Sequence, residues 1–526
     1  MTTVGERARA AARTAAKHTA AESGEAGGTG GTGGRGHGPD RGGPSTRITS
    51  AGLFRGRIRA VLPHGPLTVP ARVRWATAGC ALLALLLGAV LTGAVTGAQS
   101  NWDVITRHQA PQVTDAGGLY QALTDLDAQA ANQLMFGNDP KLTRNLATAR
   151  QQYTQDRATA DHDLQQATLD AAGNTEAQAA LARVLDDMGS YQDLAGRALE
   201  LNSHAHAAAG APDPSALADY RQATDLMRQQ LLPSAEQLLK ANDGAFEQSY
   251  TSERAALGTA GTWLLLLGGG ALIALVGLQV WLALRFRRIV NPALAAATLL
   301  TVALLGMAGS FLSGEGQDLK TARKDAFDSV VALTHARAVV YDSNAAESRY
   351  VLDAAQRPAY ESAFQTDSDQ ILKLQGVSLS GYDSALAQSI AAYQQDRTQI
   401  HFTGFYGDEF RNITFGGERA AAEKTLLAYQ AYQLDDRKIR ALVSAGKLEE
   451  AIAYCTSLAP GGSNADFNAH DAALQSLIAI NENAYESAAK VGAQRAGSEL
   501  WLLAGGAVLV AVLVGVGARP RLREFR

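Results

Sequence analysis

The chain has 526 residues, 46% of them hydrophobic and 19% charged, with a formal net charge of −4. That near-neutral total hides an asymmetry: residues 99–261 carry about −10, residues 313–499 about −8 and everything else about +14. The acidic segments exclude charge-driven binding of nucleic acid, and two cysteines exclude a disulfide framework.

Residues 1–50 are rich in Ala, Gly, Ser, Thr and Arg around "GGTGGTGGRGHGPDRGG". Such a stretch buries too little apolar area to offset its ordering entropy, so 1–74 reads as a disordered basic tail. It is no phosphate loop, because no strand precedes it and no Gly-Lys-Ser/Thr follows. Four uncharged apolar runs come next: Trp75–Ala98, Thr262–Leu284, Ala293–Leu312 and Leu500–Ala518. Each has about the 17 to 25 residues that a helix needs to cross a bilayer. A signal peptide ending at "TGA" before Gln99 is the weaker reading, since a long segment precedes the first run. Twelve Lys and Arg in 1–74, three in the 285–292 loop and four in "RPRLREFR" (519–526) place both termini and the loop in the cytoplasm. Segments 99–261 and 313–499 are then extracytoplasmic. Cys80 and Cys455 fall in different compartments and form no bridge.

Both outer segments read as helix. In "ALARVLDDMGSYQDL", Leu181, Val184, Leu185, Met188, Tyr191 and Leu194 recur at three and four residues, and Leu386, Ile390 and Tyr393 repeat this in "SALAQSIAAYQQD". Breakers divide the segments at "GNDP" (137–140), "GAPDP" (210–214), "QRP" (356–358) and "APGGSN" (459–464). Pro233 should kink a helix without ending it. The predicted fold is therefore all-α: four transmembrane helices carrying two extracytoplasmic antiparallel four-helix-type bundles. An internal duplication is expected, because Asp127-Ala-Gln-Ala-Ala-Asn lines up with Asp342-Ser-Asn-Ala-Ala-Glu, about 29 residues beyond Ala98 and about 30 beyond Leu312.

Little in the chain suggests chemistry. His162, His204 and His206 lie on polar, alanine-rich stretches and read as solvated rather than as zinc ligands. The pairs Asp186/Asp187, Asp435/Asp436 and Glu449/Glu450 read as wet faces of amphipathic helices. No nucleophile elbow, kinase signature, Walker motif or HExxH occurs, and no cofactor or metal is expected. The unusual stretch is "GFYGDEFRNITFGGER" (404–419), rich in glycine and aromatics. It reads as a packed loop or as a docking surface, and Asn412-Ile-Thr414 forms a glycosylation sequon.

Together with the four-span layout, "ESRYVLD" (347–353), "GFYGDEFRNITFGGER", "DDRKIRALVSAGKLEEAIAYC" (435–455) and "RFRRIVNP" (285–292) resemble the GlnX-type membrane proteins of actinobacteria. The likeness covers about 75–526 and is most specific over 341–490. It implies a non-enzymatic role: relaying extracytoplasmic amino-acid (aspartate/glutamate) status, sensed with a GlnH-like solute-binding lipoprotein, to the cytoplasmic Ser/Thr kinase PknG. A partner would dock on Phe405, Tyr406, Asp408, Phe410, Arg411 and Phe415, which match the shared motif. Arg285, Arg287 and Arg288 are the cytoplasmic coupling candidates, although positive-inside anchoring alone accounts for them. Membrane lipid is a further partner, and homo-oligomer formation is left open. The alternatives are direct amino-acid sensing and a four-pass envelope scaffold with no ligand-driven switch.

Overall fold

Alanine, leucine and straight-chain polar residues dominate the polar segments, so little in the local sequence competes with helix. The computed structural model describes residues 68–171, 173–286 and 291–523, with no strand among them. In chain order the helices are α1 (Val69–Phe136), α2 (Thr143–Asp170), α3 (Thr175–His204), α4 (Pro214–Arg285), α5 (Pro292–Leu352), α6 (Arg357–Ile371), α7 (Leu379–Gln395), α8 (Gly404–Asn412), α9 (Glu418–Ser444), α10 (Leu448–Cys455) and α11 (Ser463–Arg523). The rods α1, α4, α5 and α11 are 68, 72, 61 and 61 residues long, and each contains a window apolar enough to cross a membrane. The fold is all-α with four candidate spans, as the sequence predicts. The tail before Thr68, Arg287 and Arg288 lie outside the described residues.

The breakers act through identifiable chemistry. Gly137 ends α1 at φ 51°, where a Cβ would strike the backbone of Ala207 and Ala208. Asp213 caps α4 by accepting from the Ser215 and Ala216 amides, with Pro214 in the first turn where its missing N–H costs nothing. Asn291 of "RFRRIVNP" caps α5 by accepting from the Leu294 amide, and its Nδ2 donates to the Gly517 carbonyl at 2.7 Å. The end of the third span is thereby tied to the end of the fourth.

Pro233 neither ends α4 nor leaves it regular. A π turn at Met227–Leu231 immediately precedes it, and a second at Ile105–Gln109 precedes Pro111 in α1. Proline lacks the N–H of the helical bond and crowds the carbonyl four residues back. In both rods that carbonyl lies within the wider turn. A third π turn, Thr321–Phe327 in α5, has no proline. There Asn412 donates through Nδ2 to the Lys324 and Asp325 carbonyls (both 3.2 Å) and to Ser329 Oγ (2.9 Å). The sequon asparagine is thus a structural brace. The fourth π turn, Leu264–Gly268, lies in the apolar part of α4.

Outside the spans, the two polar segments pack together in two hydrophobic clusters, each with residues from both. Leu119, Tyr191 and Phe246 of the first pack in the same cluster as Phe327, Phe364 and Tyr429 of the second. The spans form a separate core in which small residues let backbones approach. A Cβ on Gly88 would lie 2.6 Å from Ala507 Cβ, and one on Gly506 would lie 2.5 Å from Leu304 Cδ2. Gly506→Val should therefore destabilise the bundle by about 1–3 kcal/mol. The check is the thermal midpoint of the detergent-solubilised protein. An unchanged midpoint would show that α5 and α11 do not meet this closely.

Candidate functional site

Helices usually hide one stripe and wet the rest. Here Leu126–Phe136 of α1 and Asp342–Leu352 of α5 are buried at every residue. These stretches contain the two sequence blocks that align with each other, and they pack together. Arg349, 1% exposed, sits between them. Its Nη2 donates to Asp127, its Nη1 to Asp342 Oδ1 at 3.3 Å and its Nε to the Tyr220 hydroxyl at 3.3 Å. Asp127 Oδ1 accepts from the Tyr191 hydroxyl at 3.0 Å, and Arg228 Nε lies 3.4 Å from Asp342 Oδ2. Ser348 Oγ donates to Asn132 Oδ1 at 2.9 Å, which adds a second tie between the blocks.

Two arginines thus balance two aspartates at this node. A third carboxyl, Asp367, is 4% exposed, and its Oδ2 has no partner. Burial, aided by the charge of Asp342, pushes its carboxyl well above the usual carboxylate range. The rest of "ESRYVLD" is equally committed. Glu347 accepts from Ser463 Oγ at 3.0 Å and from the Cys455 thiol at 3.4 Å, while Arg221 grips Asp353 through both nitrogens at 2.7 and 2.6 Å.

Beside the node, a cleft of about 90 Å³ opens between the halves. Its walls are Asp125, Gln129 and Asn132 of α1, Asn145, Thr148 and Gln152 of α2, Tyr341 and Asn344 of α5, and Asn464, Phe467 and Asn468 of α11. Gln129 donates to Asp125 Oδ1 at 2.8 Å, and Asn132 to Gln129 Oε1 at 3.4 Å. Asn344 Nδ2 is buried with no partner. Burial raises Asp125 to about 6 against the opposing Gln129 hydrogen bond. Burial and the Asp125 charge raise Asp156 to about 8. Among the described residues no Lys, Arg or His lines the cleft.

The motif residues expected to dock a partner split in two. Tyr406 and Phe410 are buried: Tyr406 pairs through its hydroxyl with His470 Nε2 at 2.5 Å, and Phe410 stacks edge-on to Tyr393 and Phe402. Phe405 and Phe415 are half-buried against the same core, and only Asp408 and Arg411 are exposed. The first nine residues of the stretch form helix α8, and residues 413–417 turn into α9. Arg285 is exposed at the end of α4. His162, His204 and His206 are exposed, and among the described residues no His, Cys, Asp and Glu group is placed to hold a metal.

Asp435 and Asp436 are a correction. They are not wet but 5% and 3% exposed, bound by the Tyr454 hydroxyl and by Arg440 respectively. Asp186 and both Glu449 and Glu450 do face solvent, with Asp187 half-buried. Sequence reading also passed over Arg349, His470 and the amide cleft. The signal for Arg349 was available: a lone arginine in an otherwise apolar-spaced stretch, seven residues beyond the duplicated aspartate.

Two measurements probe this chemistry. Arg349→Met leaves buried carboxylates unpaired and should cost about 3–5 kcal/mol in urea unfolding. Adding Asp127→Leu should recover part of that, because Asp342 keeps Arg228. No loss in the single variant would refute the node. Burial, with the charge of Asp436 beside it, raises Glu347 to about 8, and burial first raises both Asp435 and Asp436 to about 6. With Asp156, these groups hold protons in the folded chain that the unfolded chain has released. Stability then rises as pH falls from about 8 towards about 4.5. The thermal midpoint should climb by a few degrees between pH 8 and pH 5.5, at about 2–4 °C per kcal/mol, and Glu347→Gln should flatten the slope. A midpoint that falls on acidification contradicts the assignment.

Residues 101–251 match the family model described as an actinobacterial sensor domain. The matched stretch contains Asp127, Tyr220 and Arg228 of the node and two walls of the cleft. No curated protein and no solved structure matches the chain. The first polar segment of this four-span protein is thus similar to an actinobacterial sensor domain, which supports a sensing role.

Proposed function

We propose that the chain is a four-pass sensor that relays extracytoplasmic aspartate or glutamate status to a cytoplasmic Ser/Thr kinase of the PknG type. The acidic amino acid is recognised by a GlnH-like binding lipoprotein, which docks on the polar module. The observation that carries the relay is continuity: all four rods run from the polar core into the apolar spans. A rearrangement in the module has no flexible linker in which to dissipate. The absence of a cation in the cleft supports a separate binding protein, since a dicarboxylate entering there would meet Asp125 and no counter-charge. The basic flanks, Arg285 among them, face the cytoplasm and lie where a kinase could read the rods.

One feature favours the scaffold reading, in which partners are held without a switch. The Arg349 node joins the halves through fully buried charges, and such a joint resists rearrangement. The two readings separate in one experiment on the full-length protein in nanodiscs with the purified lipoprotein. The relay predicts that saturating aspartate changes lipoprotein affinity by about tenfold, or 1.4 kcal/mol, and changes kinase activity on the opposite face. Binding indifferent to aspartate, with constant kinase activity, leaves the scaffold.

A further inference from the structure

The cleft between the halves has unsatisfied groups with a consistent chemistry. We propose that it binds a small ligand carrying a primary ammonium or amide group, a carbonyl oxygen and no net negative charge. This rests on the sensing role but assigns a second input, distinct from the acidic amino acid delivered by a partner.

Three observations converge. The space, about 90 Å³, is several times the roughly 10–15 Å³ that one water needs. It is walled by both halves, so an occupant bridges α1 and α2 to α5 and α11. Second, Asn344 is 6% exposed, and its Nδ2 is buried without a partner. A buried amide donor of this kind calls for an acceptor, which a ligand carbonyl supplies. Third, Asp125 supplies the one carboxyl among the described residues that line the cleft. The charge of Arg337 reaches Asp125, but its nitrogens are taken by Asp471 at 2.5 and 3.0 Å and by Gln121 at 2.7 Å. An ammonium group is therefore attracted and an added carboxylate repelled. Tyr341 and Phe467, edge to face at 5.0 Å, supply the apolar part of the wall.

The test uses the purified full-length chain in nanodiscs, with no lipoprotein. Thermal shift and calorimetry compare L-asparagine with L-aspartate, a pair of equal shape that differ by one charge, alongside glycinamide and ethanolamine. Asparagine or glycinamide should stabilise the protein at millimolar concentration and bind at least about tenfold tighter than aspartate. Asn344→Ala should remove that binding while the unliganded midpoint stays near wild type. Should Asn344→Ala fold poorly, Thr148→Lys at the exposed lip provides an independent reading. Its added cation should narrow or reverse the preference against aspartate. Aspartate binding as tight as asparagine, binding that survives Asn344→Ala, or no saturable binding of any probe overturns the proposal. Lipoprotein-dependent signalling can fail or succeed independently, because this binding is measured on the chain alone.

Discussion

A guanidinium buried to 1% exposure constrains everything around it. Arg349 cannot leave water without carboxylates to replace it, and one of those comes from each half of the chain. Asp127 and Asp342, which open the two aligned sequence blocks, converge on this one cation. That convergence accounts for the burial of both rods on all sides at their far ends, where residues of the two polar segments pack together. A pair of this kind adds little net stability over an apolar replacement. Its value is in register, since α1 and α5 can satisfy it in only one alignment.

The spans, their flanking charges and the helical character outside them were legible because each rests on local composition. So were the breakers. Burial of Asp435 and Asp436 was not, because a carboxylate on a helix reads as wet until its partners arrive from elsewhere: Tyr454 from α10 and Arg440 one turn on. The cleft was illegible for the same reason. Asparagine and glutamine spaced along four separate helices look like four solvated faces, and only packing gathers them. Pro233 signalled a helix disturbance correctly, yet the π turn that absorbs it was not foreseen. The α5 π turn carried no local signal at all, since its brace, Asn412, lies some ninety residues away.

The charge pattern narrows what this architecture can sense unaided. Its arginines in the polar core are spent on its own carboxylates: Arg349, Arg228, Arg221, Arg337 and Arg440 all have acidic partners. An anionic ligand would find no free cation among those residues. Amide groups, by contrast, are left over at the junction of the halves.

The π turns have a geometric consequence of their own. Each stores one residue beyond the α-helical count. Resolving one turns the helix beyond it by about 100° and advances it by about 1.5 Å. Three rods contain such turns, whereas α11 runs as a single α-helix from Ser463 to Arg523. Among the described residues, the fourth rod is thus the one whose two ends are joined by an unbroken α-helical count. In α5 that extra residue is held by one side-chain amide, Asn412, which donates to two carbonyls and the Ser329 hydroxyl.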